Sequence, residues 1–293
     1  MHSTPPLAPP TGANRGAPAR RAASLLLTAL AASSCGGRAP ATPAPASDAP
    51  RAPAAGAAAA PADGRLLDLA TQLVVVTTPG WDSTSGTLHR FARGDARAEW
   101  RPVGSAVAVV VGRSGLGWDA GAATRAPAAP GDPRKREGDG RSPAGIFPLD
   151  TAFGYAPADS MGWVRLPYVP LDVGTDCVDD TSSVHYNTVV DRNRVPSVDW
   201  SSAEHMRSVR EYRYGVIVGY NATPPVRGRG SCIFLHVWDG PGSHTAGCTA
   251  FAADRVAEML GWLDPRRHPV LVQLPAAEYE RVRERWGLPR VGE

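Results

Sequence analysis

The chain has 293 residues, of which 43% are hydrophobic and 20% charged, a balance that excludes wholesale disorder, collagen-like repeats and a long coiled coil. Its formal charge of +3 sits in the first 34 residues, where Arg15, Arg20 and Arg21 face no acid; beyond them 28 basic residues balance 28 acidic ones. A neutral remainder has no electrostatic footprint for nucleic acid or for an anionic lipid surface. Lys135 is the only lysine, which reads as a coding bias toward arginine rather than as chemistry.

Arg20-Arg21 followed by Ala22 to Ala32 is a positive flank feeding a short apolar run, the pattern of a secretory signal. It is too short for a transmembrane helix, which needs about 20 apolar residues. At Ala32-Ser33-Ser34-Cys35-Gly36-Gly37 small residues precede a cysteine. This resembles a bacterial lipoprotein signal, with Cys35 as the lipidated first residue of the mature chain; simple cleavage and secretion is the alternative, and Ala32 departs from the large aliphatic usual in that motif. Residues 1–34 are therefore expected to be a lipoprotein or secretory signal peptide. Residues 35–64 are nearly all Ala, Pro and Gly without a periodic apolar face, and 11 of the 29 prolines fall before Gly64. Such a stretch does not offset its ordering entropy and is expected to be a disordered, semi-extended tether. The protein is expected to be exported to the cell envelope or periplasm, touching a membrane only through an anchor at Cys35.

From residue 65 to 293 the pattern is that of one strand-rich domain. Leu73 to Thr78 is β-branched and ends at Pro79-Gly80, a strand followed by a turn. Similar short runs cover Gly86 to Phe91, Val103 to Val111, Ala144 to Leu149, Tyr214 to Tyr220, Cys232 to Trp238 and Pro269 to Leu274. The fold class this predicts is mainly β with a few helices, a β-sandwich or a mainly antiparallel sheet. Ala252, Val256, Met259, Leu260 and Leu263 recur at helical spacing, Ala276 to Trp286 reads as a surface helix, and Ser201 to Arg210 as a third, with a serine cap. Asp119 to Arg141, with its run Arg134-Lys135-Arg136, reads as a solvated loop.

The chemistry centres on Cys248. The strand ending at Trp238 gives way to a polar loop, then Gly247-Cys248 and a helix, so the cysteine is expected at a helix N-terminus, where the dipole lowers a thiol pKa. A thiol nucleophile needs a base. His236 is on the strand and His244 in the loop; the strand positions a base better, so His236 is preferred. Gly247 lets backbone approach a bound carbonyl closely, and the Gly247 and Cys248 amides are candidate oxyanion donors.

His236, a loop, then Thr245-Ala246-Gly247-Cys248 resembles the catalytic motif of the L,D-transpeptidase (YkuD-like) family, a His followed by Ser-His-Gly-Cys. Glu137-Gly138-Asp139-Gly140-Arg141-Ser142-Pro143-Ala144-Gly145-Ile146-Phe147 is similar to its Gly-rich turn leading into a strand. Gly112 to Gly117, Cys177-Val178-Asp179-Asp180 with Tyr186-Asn187, and Gly230 to His236 resemble exported family members. The likeness spans roughly Leu66 to Leu274. It implies a YkuD-like β-sandwich, Cys248 as nucleophile, His236 as base, and a backbone carbonyl at Val237 orienting the imidazole. It further implies action on peptidoglycan stem peptides, as a transpeptidase or an L,D-carboxypeptidase, with no cofactor and no metal. Ala246 replaces the family's common second His, and Thr249-Ala250 lacks the Arg often found after the cysteine, which bears on substrate binding.

Two cysteines remain. In an oxidising compartment Cys177 and Cys232 favour a disulfide, with free thiols or a redox partnership with Cys248 as alternatives. Asp179, Asp180 and His185 fit no zinc spacing; the acids cap turns or bind the amine of a peptide. Thr245, His244, Asp179, Asp180 and Tyr186 are the candidate substrate contacts, and Trp163 and Tyr168 are further aromatics for a groove or for the core. The rival readings are a catalytically inactive peptidoglycan-binding module and a secreted metallopeptidase using His236 and His244.

Overall fold

The computed structural model describes residues 63–119 and 128–292. The expected signal peptide, Cys35 and nearly all of the expected tether lie outside them. A short helix, α1 (Asp63–Leu69), leads into the strands β1 (Gln72–Thr78), β2 (Ser85–Ala92), β3 (Arg101–Pro102), β4 (Val107–Val110), β5 (Leu116–Trp118), β6 (Ser142–Gly154), β7 (Tyr168–Pro170), β8 (Thr175–Val178), β9 (Val189–Asp191), β10 (Ala203–His205), β11 (Tyr214–Val218), β12 (Phe234–Val237), β13 (Thr249–Phe251) and β14 (Val270–Pro275), with α2 (Ala253–Trp262) between the last two and α3 (Ala276–Trp286) after them. The fold is mainly β with few helices.

Eight strands run β1-β14-β6-β11-β12-β13-β4-β2, and β2 pairs back onto β1. The sheet is therefore a closed, mainly antiparallel barrel, where the sequence predicts a β-sandwich or a mainly antiparallel sheet. Two pairings in the ring are parallel, β1 with β14 and β12 with β13; the others are antiparallel. Closure is complete at β1: Leu73, Val74, Val75 and Val76 are fully buried, and the strand is paired to β14 on one edge and β2 on the other, so its backbone groups are taken from both sides.

The main core gathers Leu73, Val75, Leu235, Val237, Phe251 and Val272 with Val256, Met259 and Leu260 of α2 and Tyr279, Val282 and Trp286 of α3. Helical spacing put those α2 residues on one face, as the structure has them. A second, smaller cluster joins Phe153, Leu171, Met206, Tyr212 and Phe234 to Cys177, Cys232 and Cys248. It forms because the chain between β6 and β11 leaves the barrel, builds the three-stranded sheet β10-β8-β9, and returns through a 3-10 turn at Arg210–Arg213. Cys177 on β8 and Cys232 just before β12 form a disulfide with a Cα–Cα distance of 5.9 Å, tying this excursion to the barrel.

Two segments differ from the expectation. Ser201 to Arg210 is not a helix: Ala203, Glu204 and His205 pair with Val178, Cys177 and Asp176, and a single 3-10 turn follows. Edge pairing to β8 overrode a weak local preference. Within the Arg134-Lys135-Arg136 run the two arginines are exposed as expected, but Lys135 is not. Lys135 is 3% exposed, and its Nζ donates to Asp139 Oδ1 at 2.8 Å and to the Arg136 carbonyl.

The disulfide closes 55 residues of sequence, which restricts the unfolded chain. Replacing both Cys177 and Cys232 by Ala is expected to lower the unfolding free energy by about 2–4 kcal/mol, read from urea melts under non-reducing conditions; an unchanged midpoint would contradict this.

Candidate active site

Alternation along β12 divides its side chains. Leu235 and Val237 enter the main core, while Phe234 and His236 face the second cluster. Gly215 on β11 lies opposite His236. A Cβ there would come within 2.6 Å of the Phe153 ring and 2.5 Å of the Leu235 carbonyl, so only glycine allows that packing. On the other side β13 runs parallel, with Leu235 level with Thr249 and His236 level with Ala250. Cys248, one residue before Thr249, is then level with Phe234. It shares a sheet face with His236 at an offset of two residues, which puts the two Cα atoms about 8 Å apart.

Cys248 therefore precedes a strand, not a helix: α2 starts at Ala253, after β13. The expected dipole effect on the thiol does not apply. Cys248 is 5% exposed, and burial pushes its pKa well up, with the negative charge of Glu204 adding to it. The Phe234 amide, the Tyr212 hydroxyl and the charge of Lys135 act in the opposite sense. Sγ accepts from the Phe234 amide at 3.3 Å and faces the Cys232 carbonyl at 3.4 Å. The Cys248 carbonyl is fixed in turn by the hydroxyls of Ser142 at 2.8 Å and Thr245 at 2.6 Å.

His236 is 7% exposed. Burial lowers its pKa from 6.5 to about 4, so the ring is neutral at pH 7. Nδ1 lies 2.8 Å from the Val237 carbonyl; a carbonyl only accepts, so Nδ1 carries the proton and Nε2 is left as the basic nitrogen. The resting pair is a neutral thiol and a neutral imidazole.

Both open onto a cavity of about 350 Å³. Of the sequence candidates, Thr245, exposed His244, Gly247 and Asp179 also line it. Asp180 does not: its carboxylate is consumed by Ser182 and Ser201, which hold its pKa well below the usual carboxylate range. Tyr186 is buried with its hydroxyl on Glu137, so it contacts no substrate from there. Trp163 and Tyr168 lie outside the lining too. The Gly247 amide donates to Thr245 Oγ1 at 3.1 Å, so this candidate oxyanion donor is engaged in the resting site.

Lys135, Glu204 and Tyr212, which are not among the residues the sequence marks as site candidates, also line the cavity, as does Glu137 of the Gly-rich turn. Asp139 organises one side, accepting from Lys135 Nζ and from the backbone amides of Arg136 and Arg141. Gly138 and Gly140 flank it at φ +70 each, the left-handed region that makes glycine the suitable residue there. The one sequence feature that sets Lys135 apart is that it is the single lysine among 31 basic residues, and it is this residue that the structure buries. Glu204 and Tyr212 carried no signal, since each depends on the excursion folding over β12. No family model matches the chain, and comparison with curated proteins and with solved structures likewise finds no match.

The neutral burial of His236 has a pH consequence. Imidazole in the unfolded chain takes a proton near pH 6.5, the folded one only near 4. Between these values the unfolded chain binds the extra proton, so stability is lost as the pH falls through this window, by about 3 kcal/mol for this group. Urea melts at both ends of the window should show a smaller acid loss in His236→Gln than in the wild type; equal losses would contradict the buried neutral ring. Asp139→Ala, which strips the buried Lys135 of its counter-charge, is expected to cost about 3 kcal/mol in the same assay.

Proposed function

We propose that the chain is a cysteine acyl-transferase of the bacterial cell envelope, an L,D-transpeptidase with a YkuD-like fold, acting on peptidoglycan stem peptides. The observation that carries this reading is the placement of Cys248 and His236 on one face of two adjacent strands, opening on a shared cavity, with the His236 Nδ1 proton held by the Val237 carbonyl. The motif likeness around Thr245-Ala246-Gly247-Cys248 and the Gly-Asp-Gly turn supports the family and the substrate. The signal-like first 34 residues and Cys35 support export and an anchored position.

In the proposed reaction Nε2 of His236 takes the Cys248 thiol proton as Sγ attacks an amide carbonyl of the stem peptide. In that family the bond lies between the L-centre of a diamino acid and a terminal D-alanine. The C–S bond forms, the C–N bond breaks, and the imidazolium returns its proton to the departing amine. A second amine then attacks the thioester, releasing the thiol and forming a crosslink; water in its place gives carboxypeptidase trimming. The raised thiol pKa fits a nucleophile that loses its proton only as it attacks, not a resting thiolate. Burial also keeps water from the thioester, which favours the amine as acceptor.

Incubating the purified protein with a carbapenem should add one acyl mass to the wild type and none to Cys248→Ala, read by intact mass. His236→Gln is expected to slow that acylation roughly 100-fold or more. An unmodified wild type that still binds murein sacculi would replace this reading with an inactive wall-binding module.

A further inference from the structure

The phenol of Tyr212 connects the two candidate catalytic groups to an acid outside the pair. Tyr212 sits on the 3-10 turn over β12, and its ring packs edge-on against His236 and Phe234 with centroids 5.0 and 5.3 Å apart. Its hydroxyl donates to Glu204 Oε2 at 2.5 Å; Tyr212 and Cys248 belong to one packed cluster and line one cavity, and the phenol favours the ionised thiol there. Glu204 is fixed by backbone pairing of β10 opposite Cys177, so the disulfide-tethered sheet sets where the carboxylate stands. All three groups line the cavity.

A phenol has one proton to give. While Glu204 is ionised, that proton belongs to the carboxylate, and the sulfur meets phenol lone pairs and a nearby negative charge. When Glu204 is protonated, its carboxyl donates to the phenol oxygen and the phenol proton turns to a thiolate.

We propose that Tyr212 is a further catalytic residue, the hydroxyl donor that stabilises the Cys248 thiolate, and that Glu204 is the positioning residue whose protonation decides whether it does so. The inference rests on Cys248 being the nucleophile and not on any particular acyl donor. The charged and titratable groups that share the cavity with Glu204 and Cys248 are Tyr212 and Glu211 on the 3-10 turn, Asp179 after β8, Glu137 and Lys135 in the turn before β6, Arg113 after β4, Asp239 and His244 in the loop after β12, and neutral His236. Burial raises Glu204 up to about 7, helped by Asp179 and Glu137, which sets the exchange in the neutral range; Lys135 favours the thiolate throughout.

The test is the rate of iodoacetamide alkylation of Cys248 in the full oxidised chain, followed by peptide mass from about pH 5 to about pH 10. In the wild type the logarithm of the rate should climb with pH, level off above about 7 as Glu204 ionises, and climb again later. Glu204→Gln should remove the level stretch and react roughly tenfold faster within it, whereas Tyr212→Phe should react roughly tenfold slower below the break. A wild-type profile that climbs as one ionisation without a break overturns the proposal, as does a Glu204→Gln profile that superimposes on the wild type. Melting curves report whether each variant folds, and the wild-type profile decides the matter if neither does. A broken profile in a chain that no carbapenem acylates keeps this inference and overturns the acyl-transfer reading; acylation with an unbroken profile does the reverse.

Discussion

The parallel pairing of β12 with β13 fixes where Cys248 and His236 stand relative to one another. Most barrel neighbours are antiparallel, and a hairpin return after Val237 would have carried the chain back past the wrong end of the strand. Instead the loop from Trp238 to Gly247 brings the chain round to run beside β12 in the same direction. Cys248 thereby enters next to Phe234, on the face that also carries His236. The register admits no slippage, because a shift by one residue would turn Cys248 into the main core and Thr249 out of it. Thr249 is buried there with its hydroxyl on Gln273 at 2.6 Å, a bond that holds the alignment.

Cys248 and His236 are both buried on that face, and burial sets their electrostatics. A thiol and an imidazole that are nearly inaccessible both favour their uncharged forms. The site therefore rests uncharged at its centre, with Lys135, Glu137 and the titratable Glu204 around it in the cavity lining. A buried ion pair contributes little net stability by itself. Here the pair of Lys135 with Asp139 holds one positive charge that favours ionisation of the Cys248 thiol, on a turn made rigid by three bonds to one carboxylate.

The excursion between β6 and β11 supplies what the barrel lacks. It roofs the second apolar cluster, delivers Tyr212 against His236, and is stapled by the disulfide to the residue whose carbonyl faces the thiol. Barrel and excursion are thus not a scaffold plus decoration: removing the second would expose Phe234 and His236 to water, and the pKa pattern of the site would revert toward ordinary values.

Local pattern determined much of this. β-Branched runs bounded by Gly and Pro located β1, β2, β6, β11, β12 and β14, and apolar spacing located α2 and α3, because those signals arise from neighbours in the chain. The pairing of a cysteine after Gly247 with a histidine on the preceding strand was legible for the same reason, as was the Gly-Asp-Gly turn. Only the tertiary structure decided that the sheet closes into a barrel, that Ser201 to Arg210 contributes a strand, that Cys248 precedes a strand and is pushed toward the thiol form, and that Lys135, Glu204 and Tyr212 meet it while Asp180 and Tyr186 turn elsewhere. Those outcomes rest on burial and on contacts between residues far apart in sequence, and a side chain's surroundings in a folded protein are not written in the residues on either side of it.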